Sequence, residues 1–262
     1  GIVGESGCGK STLARCLVRL LEPDEGLVRF DGKDISLLRP WERRAFNRRV
    51  QMIFQDPYSS LNPRMSVRQV LSEALSVHAM RPKADIPKRI TELLGLVRLP
   101  AGAADRYPHE FSGGQRQRIG IARALAVEPD VVVADELVSA LDVSVQAQVI
   151  NLLLDLQERL KLTVVFVAHD LRLVRHISHR VAVMYLGKVV EISPTEALFA
   201  APRHPYSKAL LDAAPELDPS RRTRVAAARG ELPNPLDLPT GCLFNTRCPF
   251  GVFRPPGFRC FS

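Results

Sequence analysis

The run EFSGGQRQRIGIARALAVEPDVVVADELVSALD, residues 110–142, limits what this chain can fold into more sharply than any other feature. It opens on a turn of small residues, Ser112-Gly113-Gly114-Gln115, and continues with Ile119, Ala122, Leu125 and Ala126 at helical spacing. The turn therefore occupies the positive end of a helix, where backbone N–H groups unscreened by side chains can face an anion. After Glu128-Pro129-Asp130, the apolar run Val131-Val132-Val133-Ala134 reads as a strand buried on both faces, and it ends in two carboxylates, Asp135 and Glu136. The carboxyl end of such a strand is where α/β sheets place their chemistry. Taken singly, SGGQ reads as a flexible turn and the acidic pair as a strand terminator. Their order, with Ser139-Ala140-Leu141-Asp142 following, favours the functional reading of both.

A second phosphate-binding turn stands at the start of the sequence. Gly4-Glu5-Ser6-Gly7-Cys8-Gly9-Lys10-Ser11 matches the P-loop pattern GxxxxGK[ST], and Thr12 opens a helix carrying Leu13, Leu17, Leu20 and Leu21. Glycines let backbone amides close around phosphates, Lys10 offers a point charge to the β and γ phosphates, and the Ser11 hydroxyl suits Mg²⁺. Cys8 fills a variable position of the loop and receives no redox role. Together the two stretches resemble ABC-type ATPases, in which residues 112–115 correspond to the signature, Asp135 and Glu136 to the Walker B pair, and Asp142 to the D-loop.

Other strand ends fit the same resemblance. Residues 50–54 read as a short strand that ends in Gln55, and residues 162–168 as another that ends in His169. Glutamine at a strand end is commonly a surface cap, and a lone histidine there is commonly structural. Four apolar strands that each deliver a polar group to one edge favour a site, and the resemblance makes Gln55 the Q-loop and His169 the H-loop contact to the γ-phosphate. His109, His176 and His179 read as surface residues.

The words after Gln55 narrow the family. Gln55-Asp56-Pro57-Tyr58-Ser59-Ser60-Leu61-Asn62-Pro63-Arg64-Met65-Ser66-Val67 is similar to the run in ATP-binding subunits of oligopeptide and dipeptide ABC importers. Helical periodicity over residues 67–77 and 86–97 fits a helical subdomain at about 57–128, and Arg106-Tyr107-Pro108-His109-Glu110-Phe111 leads into the signature as in those importers. Residues 27–35 and 181–192 read as hairpins around Asp31-Gly32 and Gly187. A helix start at Ser193-Pro194-Thr195-Glu196 closes an ABC ATPase domain over residues 1–195.

From about residue 200 the composition shifts toward proline and arginine, which alone reads as a semi-extended linker. Three words there, His204-Pro205-Tyr206-Ser207-Lys208-Ala209-Leu210-Leu211, Gly230-Glu231-Leu232-Pro233-Asn234-Pro235 and Gly241-Cys242-Leu243-Phe244-Asn245-Thr246-Arg247-Cys248-Pro249, resemble the C-terminal extension of peptide-importer ATPases. This extension covers residues 196–262 and is nearest to that of the second of the two ATPase subunits. Relatives carry further cysteines and some hold an iron–sulfur cluster. Here Cys260 alone follows Cys242 and Cys248, at an unfamiliar spacing and short of the thiolates a cluster takes.

The resemblance implies a RecA-like α/β core, the fold class of P-loop NTPases, with a helical subdomain. It implies ATP and Mg²⁺ as cofactors, with Gly4, Glu5, Ser6, Gly7, Cys8, Gly9, Lys10, Ser11, Thr12 and Asp135 binding the nucleotide. Ser11, Gln55 and Asp135 would hold the metal, Glu136 would act as general base, and Gln55 and His169 would complete the catalytic set. It also implies a partner ATPase, paralogous or a second copy, whose signature residues Ser112, Gly113, Gly114 and Gln115 cover the opposite nucleotide. Two membrane permeases and an extracytoplasmic binding protein complete the assembly at the cytoplasmic face of the inner membrane.

Leu137 stands where relatives have proline, which predicts a looser backbone after Glu136. The sequence begins three residues before the P-loop, so the strand feeding it reads as cut off, without the aromatic residue that stacks on adenine in relatives. Its last dozen residues match no pattern in those relatives, as a cut or shifted reading frame would produce.

Bulk properties leave two alternatives. Charged residues at 24% and hydrophobic residues at 46% suit a globular chain. No apolar run is long enough to span a bilayer, and five cysteines without a secretory signal suit a reducing compartment. The net charge of +8, with clusters at Arg39, Arg43, Arg44, Arg48 and Arg49 and at Arg221, Arg222 and Arg224, permits a nucleic-acid ligand as well as a solvated helix face. One alternative is therefore a soluble ABC ATPase on nucleic acid, which predicts a second cassette or a long coiled coil that this sequence lacks. The other is a non-hydrolysing remnant, which retained ATP binding would exclude. The reading that fits the motifs has no nucleic-acid partner and powers import of peptides or related solutes.

Overall fold

A computed structural model describes residues 1–56, 60–213, 233 and 238–250. Pro57-Tyr58-Ser59, the 221–224 arginine cluster, the 230–235 word apart from Pro233, and Cys260 lie outside the described residues. The chain divides into two compact units, one formed by Gly1–Lys10 and Ala168–Ser262, the other by Ser11–Val167.

The first unit opens with β1 (Ile2–Val3), both residues buried. After the glycine-rich loop, α1 (Lys10–Leu17) carries the chain into the second unit. A hairpin of β2 (Arg29–Phe30) and β3 (Lys33–Asp34) pairs Phe30 with Lys33 around the Asp31-Gly32 turn, where Asp31 and Gly32 both take positive φ. Next, α2 (Pro40–Arg49) starts on a proline and leads into β4 (Val50–Ile53). Its arginines are occupied locally: Arg39 pairs with Glu42, Arg49 with Asp31 and Asp130, while Arg43, Arg44 and Arg48 donate to the carbonyls of Leu38, Val77 and Val127. Arg39 and Arg49 are thus charge-paired, while Arg43, Arg44 and Arg48 are tethered to carbonyls and keep their charge on an exposed face.

Three helices follow with a shared apolar interior: α3 (Val67–Val77), α4 (Ile86–Leu96) and α5 (Gly113–Leu125). Ser66 begins α3 with a capping box, its Oγ accepting from Gln69 N at 3.3 Å and the Gln69 Oε1 accepting from Ser66 N at 2.8 Å. Leu71, Leu75, Leu93, Leu94, Ile119 and Ile121 are fully enclosed, each contributing roughly 1.5–3 kcal/mol by leaving water. The remaining elements of this unit are β5 (Val131–Asp135), α6 (Val143–Leu160) and β6 (Thr163–Val167). Strands β4 and β5 run parallel from Val50 opposite Val131 to Ile53 opposite Ala134, and β5 runs parallel to β6 up to Asp135 opposite Val167. Burial on both faces explains why β5 is apolar until its last residue. Helix α6 lays Val149, Leu152, Leu153 and Leu156 inward and stops at Lys161, which takes the left-handed conformation that ends many helices.

Back in the first unit, α7 (Leu171–Ile177), β7 (Arg180–Tyr185), β8 (Lys188–Pro194), α8 (Thr195–Ala200) and α9 (Pro205–Asp212) complete the described elements. Strand β1 is parallel to β7, with Val3 opposite Val183, and β7 and β8 form the hairpin expected around Gly187. The segment after residue 200, linker-like by composition, instead forms α9 and buries Tyr206 and Phe244 to 1% exposure each. Among the described residues no helix is long and apolar enough to cross a membrane.

Candidate functional site

The glycine-rich loop of the first unit is built around Lys10, whose side chain is buried. Its ammonium donates to the carbonyls of Gly4 at 2.9 Å and Glu5 at 3.0 Å, and approaches Cys8 Sγ at 3.9 Å. Gly7 and Gly9 hold φ of +80° and +97°, a region L side chains avoid, and this turns the loop back over the lysine. A Cβ at Gly4 would lie 2.2 Å from the Met184 carbonyl oxygen, so only glycine lets β7 approach this closely. Gly187 N donates to the Cys8 carbonyl at 2.9 Å, fixing the far side of the loop. Cys8 is enclosed, and burial is the main cause that pushes its thiol up, so it serves packing rather than redox chemistry. Ser6 and Gly7 face solvent, Glu5 is half-buried, and His169 is exposed one residue before Asp170. Asp170 caps α7 by accepting from Arg172 N at 2.8 Å.

In the second unit, the parallel pairing of β4 with β5 brings two predicted groups into contact. Gln55 Nε2 donates to Glu136 Oε2 at 2.7 Å. Glu136 takes φ of +45°, its amide donates to the Val167 carbonyl at 2.9 Å, and its own carbonyl accepts from Ser139 N at 3.1 Å and Ser139 Oγ at 3.0 Å. Asp135, 3% exposed, accepts a hydrogen bond from Ser11 Oγ at 2.9 Å. A hydroxyl beside a carboxylate is a set of hard oxygen donors, which fits Mg²⁺. Thr12, adjoining Ser11 in α1, is exposed. Leu137 occupies the core at 1% exposure, and the turn beyond it is closed by Leu141 N donating to the Val138 carbonyl.

The signature residues begin α5. Ser112 and Gln115 form a capping box, with Ser112 Oγ accepting from Gln115 N at 3.3 Å and Gln115 Oε1 from Ser112 N at 3.0 Å. The two glycines have a packing role that the sequence reading lacked. A Cβ at Gly113 would meet Leu141 Cδ2 at 3.1 Å, and one at Gly114 would meet Val145 Cγ1 at 2.3 Å. They allow the N-terminus of α5 to lie against the start of α6, where Asp142 is the exposed N-cap residue.

Sequence reasoning also missed Tyr206 and Arg247, which contact Glu5 from the C-terminal segment. The Pro- and Arg-rich composition concealed them, and the buried aromatic pair Tyr206 and Phe244 was the available signal. Among the described residues no group of His, Cys, Asp and Glu has the makings of a metal cluster, and Cys242 and Cys248 are free thiols.

The chain is similar to known proteins along most of its length. The profile of the ABC transporter family matches residues 1–139, and that of the oligopeptide/dipeptide transporter C-terminal region matches residues 190–253. The chain is 53% identical over 252 residues to a protein of Brucella ovis that carries the name of a peptide import ATP-binding protein, covering 96% of this chain and 80% of the relative. It is 52% identical over 253 residues to the oligopeptide transport ATP-binding protein AppF of Bacillus subtilis, covering 95% and 77%. Among solved structures, cbiO1 of Clostridium perfringens, part of the ABC transporter complex cbiONQ, aligns with a TM-score of 0.68 at 29% identity, covering 76% of this chain and 78% of that one. A dimeric ATP-binding cassette in a post-hydrolysis state with ADP and Pi aligns at 0.65 and 31%, covering 74% and 84%.

Proposed function

The chain belongs to the ABC transporter family, and from that premise we propose that it powers import of peptides or related small solutes by hydrolysing ATP on behalf of two membrane permeases. Its fold is that of α/β P-loop ATPases, and its reaction is ATP plus water giving ADP and phosphate. The observation that carries the reading is the paired arrangement after β4 and β5, Ser11 on Asp135 and Gln55 on Glu136.

The proposed roles follow from the chemistry of each group. Backbone amides of the loop, other than that of Glu5, which Tyr206 occupies, bind the phosphates together with the Lys10 ammonium, which exchanges its loop carbonyls for phosphate oxygens. Ser11, Gln55 and Asp135 would hold Mg²⁺, which when bound neutralises charge on the phosphate oxygens. Glu136 accepts the proton of the attacking water, Gln55 orients that carboxylate, and His169 contacts the γ-phosphate. The N-terminus of α5, with Ser112 to Gln115, supplies its positive end to the nucleotide on a partner ATPase, a paralogue or a second copy, and Asp142 lies at the junction with that partner. The assembly sits on the cytoplasmic face of the membrane, fed by an extracytoplasmic binding protein. Similarity to the oligopeptide/dipeptide transporter C-terminal region over residues 190–253 supports peptides as the cargo.

The test is uptake. Cells lacking the gene for this chain are supplied with a required amino acid only as a dipeptide or oligopeptide, and labelled peptide uptake is followed. Restoration by the chain and failure of Lys10→Ala are expected; uptake independent of the chain, with free amino-acid uptake unaffected, would contradict the reading.

A further inference from the structure

Within the first unit, the C-terminal segment grips one residue of the glycine-rich loop. Arg247 lays its guanidinium fork on the Glu5 carboxylate, Nη1 to Oε2 at 2.7 Å and Nη2 to Oε1 at 2.9 Å. The arginine side chain is 7% exposed and the glutamate 31%, so the guanidinium is enclosed while the carboxylate stays partly open to water. The Glu5 amide donates to the Tyr206 hydroxyl at 2.9 Å. Tyr206 is in turn fixed by rings on two sides, Tyr185 at 4.5 Å and Phe244 at 5.5 Å between centroids. Arg247 stands three residues beyond Phe244 and its amide donates to the Phe244 carbonyl at 3.1 Å. Both the carboxylate and the backbone of one loop residue are therefore held by groups that arrive together.

This arrangement has an electrostatic consequence. A free carboxylate on a loop that receives a triphosphate repels its own ligand, and the repulsion grows as water is displaced. A bidentate guanidinium cancels that charge with fixed geometry, which a mobile cation would not. Meanwhile burial raises the Tyr206 phenol well above its ordinary range, so it remains a neutral acceptor for the Glu5 amide.

We propose that Arg247 and Tyr206 are positioning residues for ATP: they neutralise Glu5 and hold its backbone, so that nucleotide affinity depends on the C-terminal segment. The inference rests on the reading that residues 4–11 bind ATP, and it adds a requirement from outside the ATPase motifs.

The test is a double-mutant cycle on the full chain, reading the dissociation constants of Mg-ATP and Mg-ADP. Arg247→Gln, which removes charge at similar size, weakens Mg-ATP about tenfold, and Mg-ADP less because it carries less charge. Arg247→Lys, which keeps the charge and loses the fork, weakens it less than Arg247→Gln does. In a Glu5→Gln background the same Arg247→Gln change has under half its effect in logarithmic terms, since no carboxylate remains to be neutralised. A purely structural role gives equal losses in both backgrounds and for both nucleotides, and that result, or wild-type affinity in Arg247→Gln, overturns the proposal. If Arg247→Gln fails to melt cooperatively, the comparison of Arg247→Lys in the two backgrounds decides in the same way. Failure of the underlying reading is distinguishable: the wild type itself would not bind Mg-ATP, or Lys10→Ala would bind it equally well.

Discussion

Gln55 and Glu136 meet through a 2.7 Å hydrogen bond from the glutamine amide to the carboxylate, although they lie 81 residues apart in sequence. Parallel pairing of β4 with β5, Ile53 opposite Ala134, brings the two strands to the same edge in step. The left-handed backbone at Glu136 and the Ser139 hydrogen bonds to its carbonyl then fix how the carboxylate leaves the strand.

Replacement Glu136→Gln keeps the side chain's length and removes its ability to accept a proton. Phosphate release falls about 10²- to 10⁴-fold, while the dissociation constant for Mg-ATP stays within a few-fold of wild type. Steady-state phosphate release and equilibrium binding on the same preparation check both halves. Hydrolysis at the wild-type rate would remove Glu136 from the role of general base.

In the proposed roles, Asp135 would bear on the metal rather than the water. Asp135→Asn still offers an oxygen to the Ser11 hydroxyl, now 2.9 Å away, but carries no charge toward a cation. Hydrolysis then needs about tenfold more Mg²⁺ for half its maximal rate, read by titrating Mg²⁺ at fixed ATP. An unchanged Mg²⁺ requirement would show that Asp135 acts only on Ser11.

Gly114 gives a prediction about stability. Because an added Cβ would lie 2.3 Å from Val145 Cγ1, Gly114→Ala forces α5 and α6 apart. The expected cost is about 1–3 kcal/mol, lowering the melting temperature by roughly 2–4 °C per kcal/mol. Adding Val145→Ala recovers part of the loss. A melting temperature equal to wild type in the single variant would mean the helices yield freely.

The site was more legible in the sequence than the C-terminal segment, for a physical reason. Phosphate-binding loops demand glycine at particular backbone angles, and buried strands demand apolar runs that stop where chemistry starts, so Gly7, Gly9, Lys10, Asp135 and Glu136 announce themselves. Partners met through long-range packing leave no such local trace. Tyr206 and Arg247 sit in a stretch whose prolines and arginines suggest a solvated linker, yet the two side chains are 1% and 9% exposed as whole residues. The glycines of the signature were legible as a turn, but their need to admit Leu141 and Val145 comes from helix packing that periodicity does not encode. Leu137, the residue after Glu136, is by contrast a core residue whose enclosure its apolar type already suggests.

The most direct test of the central claim, that the loop around Lys10 binds Mg-ATP, is the thermal melt of the chain with and without nucleotide, with Lys10→Ala as control. At about a hundred times its dissociation constant, a ligand adds roughly 2.7 kcal/mol, on the order of 5 to 10 °C for a chain of this size. The account predicts that shift in the wild type and its loss in Lys10→Ala. A cooperative melt that Mg-ATP leaves in place, or an equal shift in the control, would contradict it.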